Sequence, residues 1–533
     1  MHKNSPLLRI FIVVLAAFTL SILPAMSEVK SGRPNIIFLL TDDQRDNTFG
    51  AMGHPFAKTP NFDALLAESV HFRNTYVAEP VCSPSRVSYF TGVHERVHGV
   101  GFTSSWQLTE DQWSHSYPAL LRNAGYYTGF VGKFGLEYYT FKGNAAEKFD
   151  YWWGHDGWTK FLPKNYKSDS TRPYHRAKKE FITPIMGEAM GEFLSTLPDG
   201  RPFCLSVSLN IPHGSQTTSM FDSYDGWRSM ERAANENEPL QGHPIYDALY
   251  RDLDIQVHPD TGIDPHQFMP RSIMDQDKGR AALYSYSYTI KRSREHHVRY
   301  YQTITGLDNE LGELLAQLEE KGLRENTIII FGSDHGLLMG EYGMGGKALL
   351  FDLSSKIPCF VHDPRLPRKK RGVVRDELVS SLDIPASILD YAGVRQPAFT
   401  YGKSLRRLVE GKKTEWRNEL FLESFYTGRD TPFQEGMRTQ RWKYIRCFDA
   451  PGDILHFSAK GSYNDEDIDF TGRKPDFEML FDLKADPGER VNLASSGKHA
   501  DTLAKLRQKT KDGSAQLQRR AKAYRERVEM SPR

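Results

Sequence analysis

The chain has 533 residues, of which 39% are hydrophobic, 26% charged and 12% aromatic; this composition supports a large buried core and excludes a disordered or fibrous protein. Its 69 Lys and Arg nearly balance 67 Asp and Glu, for a formal charge of +2, so no global field points to nucleic acid. Four cysteines, Cys82, Cys204, Cys359 and Cys447, are too few for a disulfide scaffold.

The first element is a leader. His2, Lys3 and Arg9 precede an apolar run from Ile10 to Leu23, and Ala25-Met26-Ser27 is a small-x-small cleavage site, so residues 1–27 read as a secretory signal peptide. The run is shorter than the ~20 apolar residues that a bilayer requires. After cleavage the protein is therefore expected not to span a membrane, and to be secreted or periplasmic.

Asn35 to Leu40 is a continuous apolar run ending in Thr41-Asp42-Asp43, the pattern of a strand buried on both faces. Similar runs recur at Tyr127 to Val131, Phe203 to Leu209, Thr327 to Phe331 and Ile357 to Val361. Helical patterns lie between them at Pro60 to Ser69, Tyr117 to Asn123, Pro184 to Leu197 and Val298 to Lys321. This alternation predicts an α/β fold, a large, mostly parallel sheet flanked by helices. Ligands of such sheets bind beyond the carboxyl ends of the strands, where Asp42, Asp43, Asn210 to His213 and Ser333 to His335 fall. The stretch from His213 to Tyr300 has no sustained period and reads as an insertion walling the site. After Leu389 come Gly393, Pro397 and Gly402, then strand-like pieces at Leu420 to Ser424 and Tyr444 to Phe448 and a charged helical tail. A boundary near Tyr401 divides a catalytic domain, 33–400, from a smaller C-terminal α+β subdomain, 401–533.

Asp42-Asp43 after one strand and Asp334-His335 after another offer three carboxylates and an imidazole, a donor set suited to a divalent cation. For any single Asp at a strand end, helix capping or turn formation is the ordinary explanation; two such pairs at equivalent sheet positions weaken it. His94-Glu95-Arg96-Val97-His98 matches the zinc-peptidase pattern, which requires one helix to stack both imidazoles. Gly92, Gly99 and Gly101 surround it, so the helix expected over Pro84 to Thr91 should stop before His94. Gly132-Lys133 is followed by Phe134 where a phosphate-binding loop needs Ser or Thr, which argues against nucleotide binding.

Cys82-Ser83-Pro84-Ser85-Arg86, followed by Thr91-Gly92, resembles the signature of the type I sulfatases of the alkaline phosphatase superfamily. The resemblance runs in order through Pro34-Asn35-Ile36, Asp42-Asp43, Gly132-Lys133, Pro212-His213, Ser333-Asp334-His335-Gly336, Gly346-Lys347 and the tail motifs Leu480 to Leu483, Asp486 to Glu489 and Asn492-Leu493. It implies an alkaline-phosphatase-like fold and conversion of Cys82 to formylglycine by a formylglycine-generating enzyme, the aldehyde hydrate supplying the nucleophilic oxygen. It implies Asp42, Asp43, Asp334 and His335, with residue 82, as ligands of a calcium ion. The imidazole leaves magnesium, manganese or zinc open. Arg86 and Lys133 would offset charge on the nucleophile and the sulfate, and Lys347 and His213 would bind sulfate and protonate the departing alkoxide. One departure is Gly135, at a position where the family usually carries a histidine that helps break the sulfated intermediate; either another group, such as His155 or a residue of the 214–300 insertion, takes that role, or the chain's subfamily manages without it.

The expected activity is hydrolysis of a sulfate monoester. Export, together with the aromatic segments Tyr151-Trp152-Trp153, Trp158 and Tyr224 to Trp227, favours a sulfated carbohydrate. The alternatives are a phosphonate monoester or phosphodiester hydrolase of the same superfamily, and a non-catalytic binder of sulfated glycans.

Overall fold

The computed structural model describes residues 32–102, 104–136, 141–155, 161–165, 174–215, 246, 248–273, 289–426, 431–449 and 463–532. The predicted leader, Trp158, Tyr224 to Trp227 and much of the 214–300 insertion lie outside the described residues.

Within the compact unit Pro34–Arg533, the elements that position the site begin with β1 (Asn35–Asp42), α1 (Pro60–Ala67), β2 (Val70–Tyr76), α2 (Cys82–Thr91), α3 (Glu95–His98) and α4 (Tyr117–Asn123). They continue with β3 (Tyr127–Lys133), β4 (Tyr151–His155), α5 (Ile182–Ser195), β5 (Phe203–Pro212), α6 (Ile290–Glu320) and β6 (Thr327–Ser333). Next come β7 (Lys356–Ile357), β8 (Phe360–His362), β9 (Val373–Ser380) and α7 (Asp383–Tyr391). The C-terminal part holds β10 (Glu419–Ser424), β11 (Phe433–Thr439), β12 (Trp442–Phe448), β13 (Phe477–Asp482) and α8 (Ala500–Arg525).

Among the described residues nine strands form one sheet in the order β7-β2-β8-β6-β1-β5-β3-β4, with β9 also on β2. The five strands from β6 to β4 are mutually parallel, whereas β8 runs antiparallel to both β6 and β2. The period-2 geometry of a strand explains why β1 reads as an unbroken apolar run. Its Ile37 and Leu39 enter a core layer with α1, α5 and α6, while Ile36, Phe38 and Leu40 enter the opposite layer with α2, α4 and α7. The sheet is thus covered on both faces, and β1, β3, β5 and β6 all release their chains at one carboxyl edge.

Some boundaries differ from the sequence reading. The run Ile357 to Val361 divides into β7 and β8 on either side of Pro358, which cannot donate a ladder hydrogen bond. Helix α6 starts at Ile290 rather than Val298, because Thr289 caps it by accepting from the Arg292 amide. Tyr151 and Trp153 are core residues, and Trp152 stacks on Phe130 at 5.1 Å; these three aromatics fill the fold and are not offered to a sugar ring.

Strands β10 to β13 form an antiparallel meander. One face of α8 packs Leu503 and Leu506 on Met437, Tyr444 and Leu480, and its later turns pack Leu517, Ala521 and Tyr524 on Val93 and Val97 beside α3. Among the described residues no helix is long and apolar enough to cross a membrane.

Candidate active site

All nine residues singled out in the sequence converge at the carboxyl edge of the sheet. Asp42 ends β1 and Asp43 follows with φ 67°. A strand would send consecutive side chains to opposite faces; the left-handed turn brings Asp43 round, so that carboxylate oxygens of both lie within 4.8 Å of the Cys82 sulfur and a His213 nitrogen. The turn is held from β6: the Asp43 amide donates to Asp334 Oδ1 at 3.1 Å and the Gln44 amide to Ser333 Oγ at 3.1 Å. Tyr300 Oη donates to the Asp43 carbonyl at 2.9 Å.

Cys82 opens α2, and all ten residues of that helix are buried. Its Sγ lies 3.5 Å from Asp42 Oδ1, 3.2 Å from His335 Nε2 and 2.6 Å from Lys347 Nζ. Arg86, one turn further on the same helix face, donates to Asp334 Oδ2 from Nε at 3.0 Å and from Nη2 at 2.8 Å. Its Nη1 donates to the Lys133 carbonyl at 3.0 Å and to Ser208 Oγ. Lys133 Nζ, from the end of β3, meets Asp42 Oδ2 at 2.5 Å, and Lys347 Nζ meets Asp43 Oδ1 at 2.8 Å. His213 Nε2 stands 3.9 Å from Asp43 Oδ2.

Three carboxylates therefore face three cations in a buried centre, and their protonation follows from that balance. Burial raises the Asp42 carboxyl, but Lys133, His213, Arg86 and Lys347 outweigh it and hold the group well below the usual range. Asp334 is pushed up to about 7 by burial and by the Asp42 charge. Burial drives His213 and His335 well below the ordinary histidine value, leaving both neutral. Burial and the Asp42 charge push the Cys82 thiol up to about 12, so the sulfur is a thiol at neutral pH and a poor nucleophile.

The donor set fits a divalent cation. Asp42, Cys82, Asp334 and His335 each offer an atom within 4.8 Å of the others. His335 Nδ1–H donates to the Gly336 carbonyl at 2.9 Å, which turns the Nε2 lone pair toward the centre, the usual arrangement for a ligating imidazole. Asp43 Oδ2 is buried with no hydrogen-bond partner among the described residues, a carboxylate oxygen that a cation would satisfy.

Gly135 has φ 77°, and the Arg86 side chain lies directly against the position a Cβ would take. The space that a histidine would need there is filled by the guanidinium arm. His155 ends β4 in register with Lys133 and packs its ring on Tyr174. The peptidase-like pattern resolves differently from a zinc helix: α3 is a single turn ended by Gly99, and His94 lies outside it as the N-cap. His94 Nδ1 faces Glu423 at 3.8 Å, whereas His98 Nε2 lies 3.1 Å from Ser88 Oγ. Burial pushes both imidazoles down to about 3, and Arg96 between them is buried against Glu423 and Glu435.

Sequence reasoning missed Ser208, which accepts from Arg86 and donates to the Lys133 carbonyl at 2.6 Å. The signal was present: Ser206 and Ser208 alternate on one face of a strand that is buried throughout, and Ser206 likewise has a partner in Tyr117 Oη at 2.7 Å, as buried polar groups generally do.

The family model described as "Sulfatase" matches residues 34–394, and "N-sulphoglucosamine sulphohydrolase, C-terminal" matches 340–457. An N-acetylglucosamine-6-O-sulfatase of Bacteroides thetaiotaomicron is 25% identical over 551 residues, covering 95% of this chain and 90% of its own. An arylsulfatase of Clostridium perfringens is 27% identical over 516 residues, with 89% and 93% covered. Among solved structures, the phosphonate monoester hydrolase of Agrobacterium radiobacter superposes with a TM-score of 0.66 at 19% identity, over 91% of this chain and 96% of its own.

Proposed function

We propose, for a chain that belongs to the sulfatase family and is a sulfuric ester hydrolase, that Cys82 is the residue converted to formylglycine and that sulfate esters of carbohydrates are hydrolysed there. The observation that carries this reading is the position of Cys82 at the start of a buried helix, its sulfur ringed by Asp42, His335 and Lys347 within 3.5 Å. A thiol held at about 12 has little use as a nucleophile in that setting, whereas an oxygen nucleophile suits it. The carbohydrate follows from the N-acetylglucosamine-6-O-sulfatase, similar over nearly the whole chain. In this reading residues 1–27 are the leader of an exported protein, 33–400 the catalytic domain and 401–533 the C-terminal subdomain.

Asp42, Asp43, Asp334 and His335 would hold a divalent cation, calcium by family resemblance. Formylglycine at residue 82 would supply a hydroxyl nucleophile, and a cation held by these residues would lower its pKa and withdraw charge from the sulfate. The chain's own residues do the rest. Arg86 fixes the Asp334 carboxylate through two donors and reaches Asp42 at 3.3 Å, so the carboxylates cannot rotate away. Lys133 neutralises Asp42 and, with Arg86, adds positive charge where sulfate oxygens gather. His213 is neutral in the resting protein and serves as an N–H donor to a sulfate oxygen. Lys347 Nζ, 2.6 Å from the residue 82 side chain, carries the proton delivered to the departing alkoxide.

The test is co-expression with a formylglycine-generating enzyme, peptide mass spectrometry at residue 82 and assay of sulfate release from an aryl sulfate and a panel of sulfated sugars. Formylglycine with sulfate release from a sugar is the expected result. A fully converted, calcium-loaded protein that releases no sulfate from any ester would overturn the assignment in favour of a binder. The fold shared with a phosphonate monoester hydrolase supports one second reading, which faster turnover of the matched aryl phosphonate would establish.

A further inference from the structure

Lys347 leaves a two-residue ladder, Gly345–Gly346 paired with Leu338–Met339, and the residue after it is conformationally costly. Ala348 is fully buried with φ 70°, a left-handed backbone that a side chain disfavours and that persists only when its surroundings over-determine it. The constraints come from two directions. The Ala348 amide donates to the carbonyl of Pro80 at 3.0 Å, two residues before Cys82. The Ala348 carbonyl accepts from Ser424 Oγ at 2.8 Å and from Gln434 Nε2 at 3.0 Å, so both of its lone pairs are used.

Ser424 and Gln434 are direct cross-strand partners on β10 and β11, and both are fully buried. The other end of the same amide, Gln434 Oε1, accepts from the Leu350 amide at 3.2 Å, and Lys443 Nζ of β12 donates to the Leu350 carbonyl at 2.8 Å. Gln434 therefore spans a carbonyl and an amide two residues apart on one loop. A carboxamide is suited to this, having a donor and an acceptor side by side; an ionised Glu offers no donor, and a Met offers no donor and only a weak acceptor.

From this geometry we infer that Gln434 and Ser424 are positioning residues for Lys347, and that the C-terminal sheet is a working part of the active site. They never touch the reacting atoms. They hold Ala348 in the one conformation that ties the Lys347 loop to the segment entering Cys82, and so set Nζ at 2.6 Å from Sγ and 2.8 Å from Asp43 Oδ1. Misplacement of a catalytic group by about 1 Å costs up to roughly 100-fold in rate, and a loop released from the two buried hydrogen bonds that Gln434 makes to it can drift that far. The kinetic part of this inference rests on the role of Lys347 proposed above.

The test is a double-mutant cycle on kcat/KM for sulfate release with Gln434→Met, Lys347→Ala and the pair, alongside hydrogen–deuterium exchange at the Ala348 and Leu350 amides. Gln434→Met is expected to lower kcat/KM by about 10- to 100-fold, with the loss in kcat, and to add about twofold or less once Lys347 is already Ala, because a residue acting through another has nothing left to act on. Exchange at both amides should speed up. Ser424→Ala, which removes one of two donors to Ala348, should give a smaller effect with the same coupling, and it carries the cycle if Gln434→Met does not fold. Multiplicative effects in the cycle would overturn the inference, since Gln434 would then act elsewhere. If the wild-type protein hydrolyses no sulfate ester, the functional reading fails by itself and exchange decides the clamp: faster exchange upholds it and unchanged protection at both amides overturns it.

Discussion

Restoring the histidine of the sulfatase pattern by Gly135→His should damage this protein. The backbone there has φ 77°, and a side chain in left-handed backbone costs about 1–2 kcal/mol. The new Cβ would also occupy the path of the Arg86 Cδ, and Arg86 cannot swing aside without giving up bonds to Asp334, Ser208 and the Lys133 carbonyl. Each hydrogen bond to a charged group is worth about 1.5–3 kcal/mol, so loss of one or two brings the total, with the backbone cost, to roughly 2.5–8 kcal/mol. With an unfolding entropy of about 2.1 cal/mol/K per residue, a chain of 533 residues loses about 0.9 °C of melting temperature per kcal/mol, a fall of roughly 2–7 °C. Displacing a donor that organises the centre should also cut kcat by about 100- to 1,000-fold. Calorimetry and sulfate release on the same preparation read both effects. A variant that melts within about 1 °C of wild type and turns over faster would refute the reasoning, because Gly135 would then be an open place for a histidine and not the space that Arg86 requires.

Cys82→Ala should retain the fold and lose all sulfate release, and turnover at the wild-type rate would remove residue 82 from the chemistry. Chelation should abolish activity and lower the melting temperature, with calcium restoring both; full turnover in chelator would refute the cation site. His94→Ala should leave sulfate release intact, since His94 faces Glu423 and not the centre, and loss of bound cation in that variant would contradict this. Glu310 is pushed up to about 8 by burial and then by Glu313, above the ordinary glutamate value of 4.5, so the stability contributed by its protonated form is complete below pH 4.5 and is lost as pH rises through 8. Melting temperature should decline across that window and Glu310→Gln should flatten the decline; an unchanged slope would refute it.

The parallel strands were legible because a strand covered on both faces must be apolar throughout, as in Ile36 to Leu40. Strand β2 was not, because Val70-His71-Phe72-Arg73 carries half-buried and exposed polar residues among its apolar ones and resembles a loop to any test of continuous hydrophobicity. Its burial is supplied by β8 and β9, whose paired residues lie 289 to 304 positions away in the chain. The site residues stood out as a signature and as acidic pairs at strand ends, signals that survive without structure. The clamp on Lys347 did not, since Ser424 and Gln434 are unremarkable polar residues until pairing of β10 with β11 places them over one carbonyl. Sequence announces chemistry through residue type, and announces positioning only through tertiary contact.

The charge of the centre bears on which ester it can prefer. A divalent cation beside Asp334 would favour its ionised form, so Arg86, Lys133 and Lys347 would then balance Asp42, Asp43 and Asp334; with His213 and His335 neutral, the loaded centre would carry a surplus of two positive charges. A sulfate monoester and a phosphonate monoester each bring one negative charge, while a phosphate monoester brings up to two. One unit charge at 4 Å is worth about 4 kcal/mol at an effective dielectric of 20; the centre can therefore sort monoanions from dianions but has no electrostatic means of sorting sulfate from phosphonate. Preference between the two monoanions must come from groups that meet the rest of the substrate or set the leaving-group donor, and under the roles proposed above for Lys347 and its clamp the C-terminal sheet is one of them.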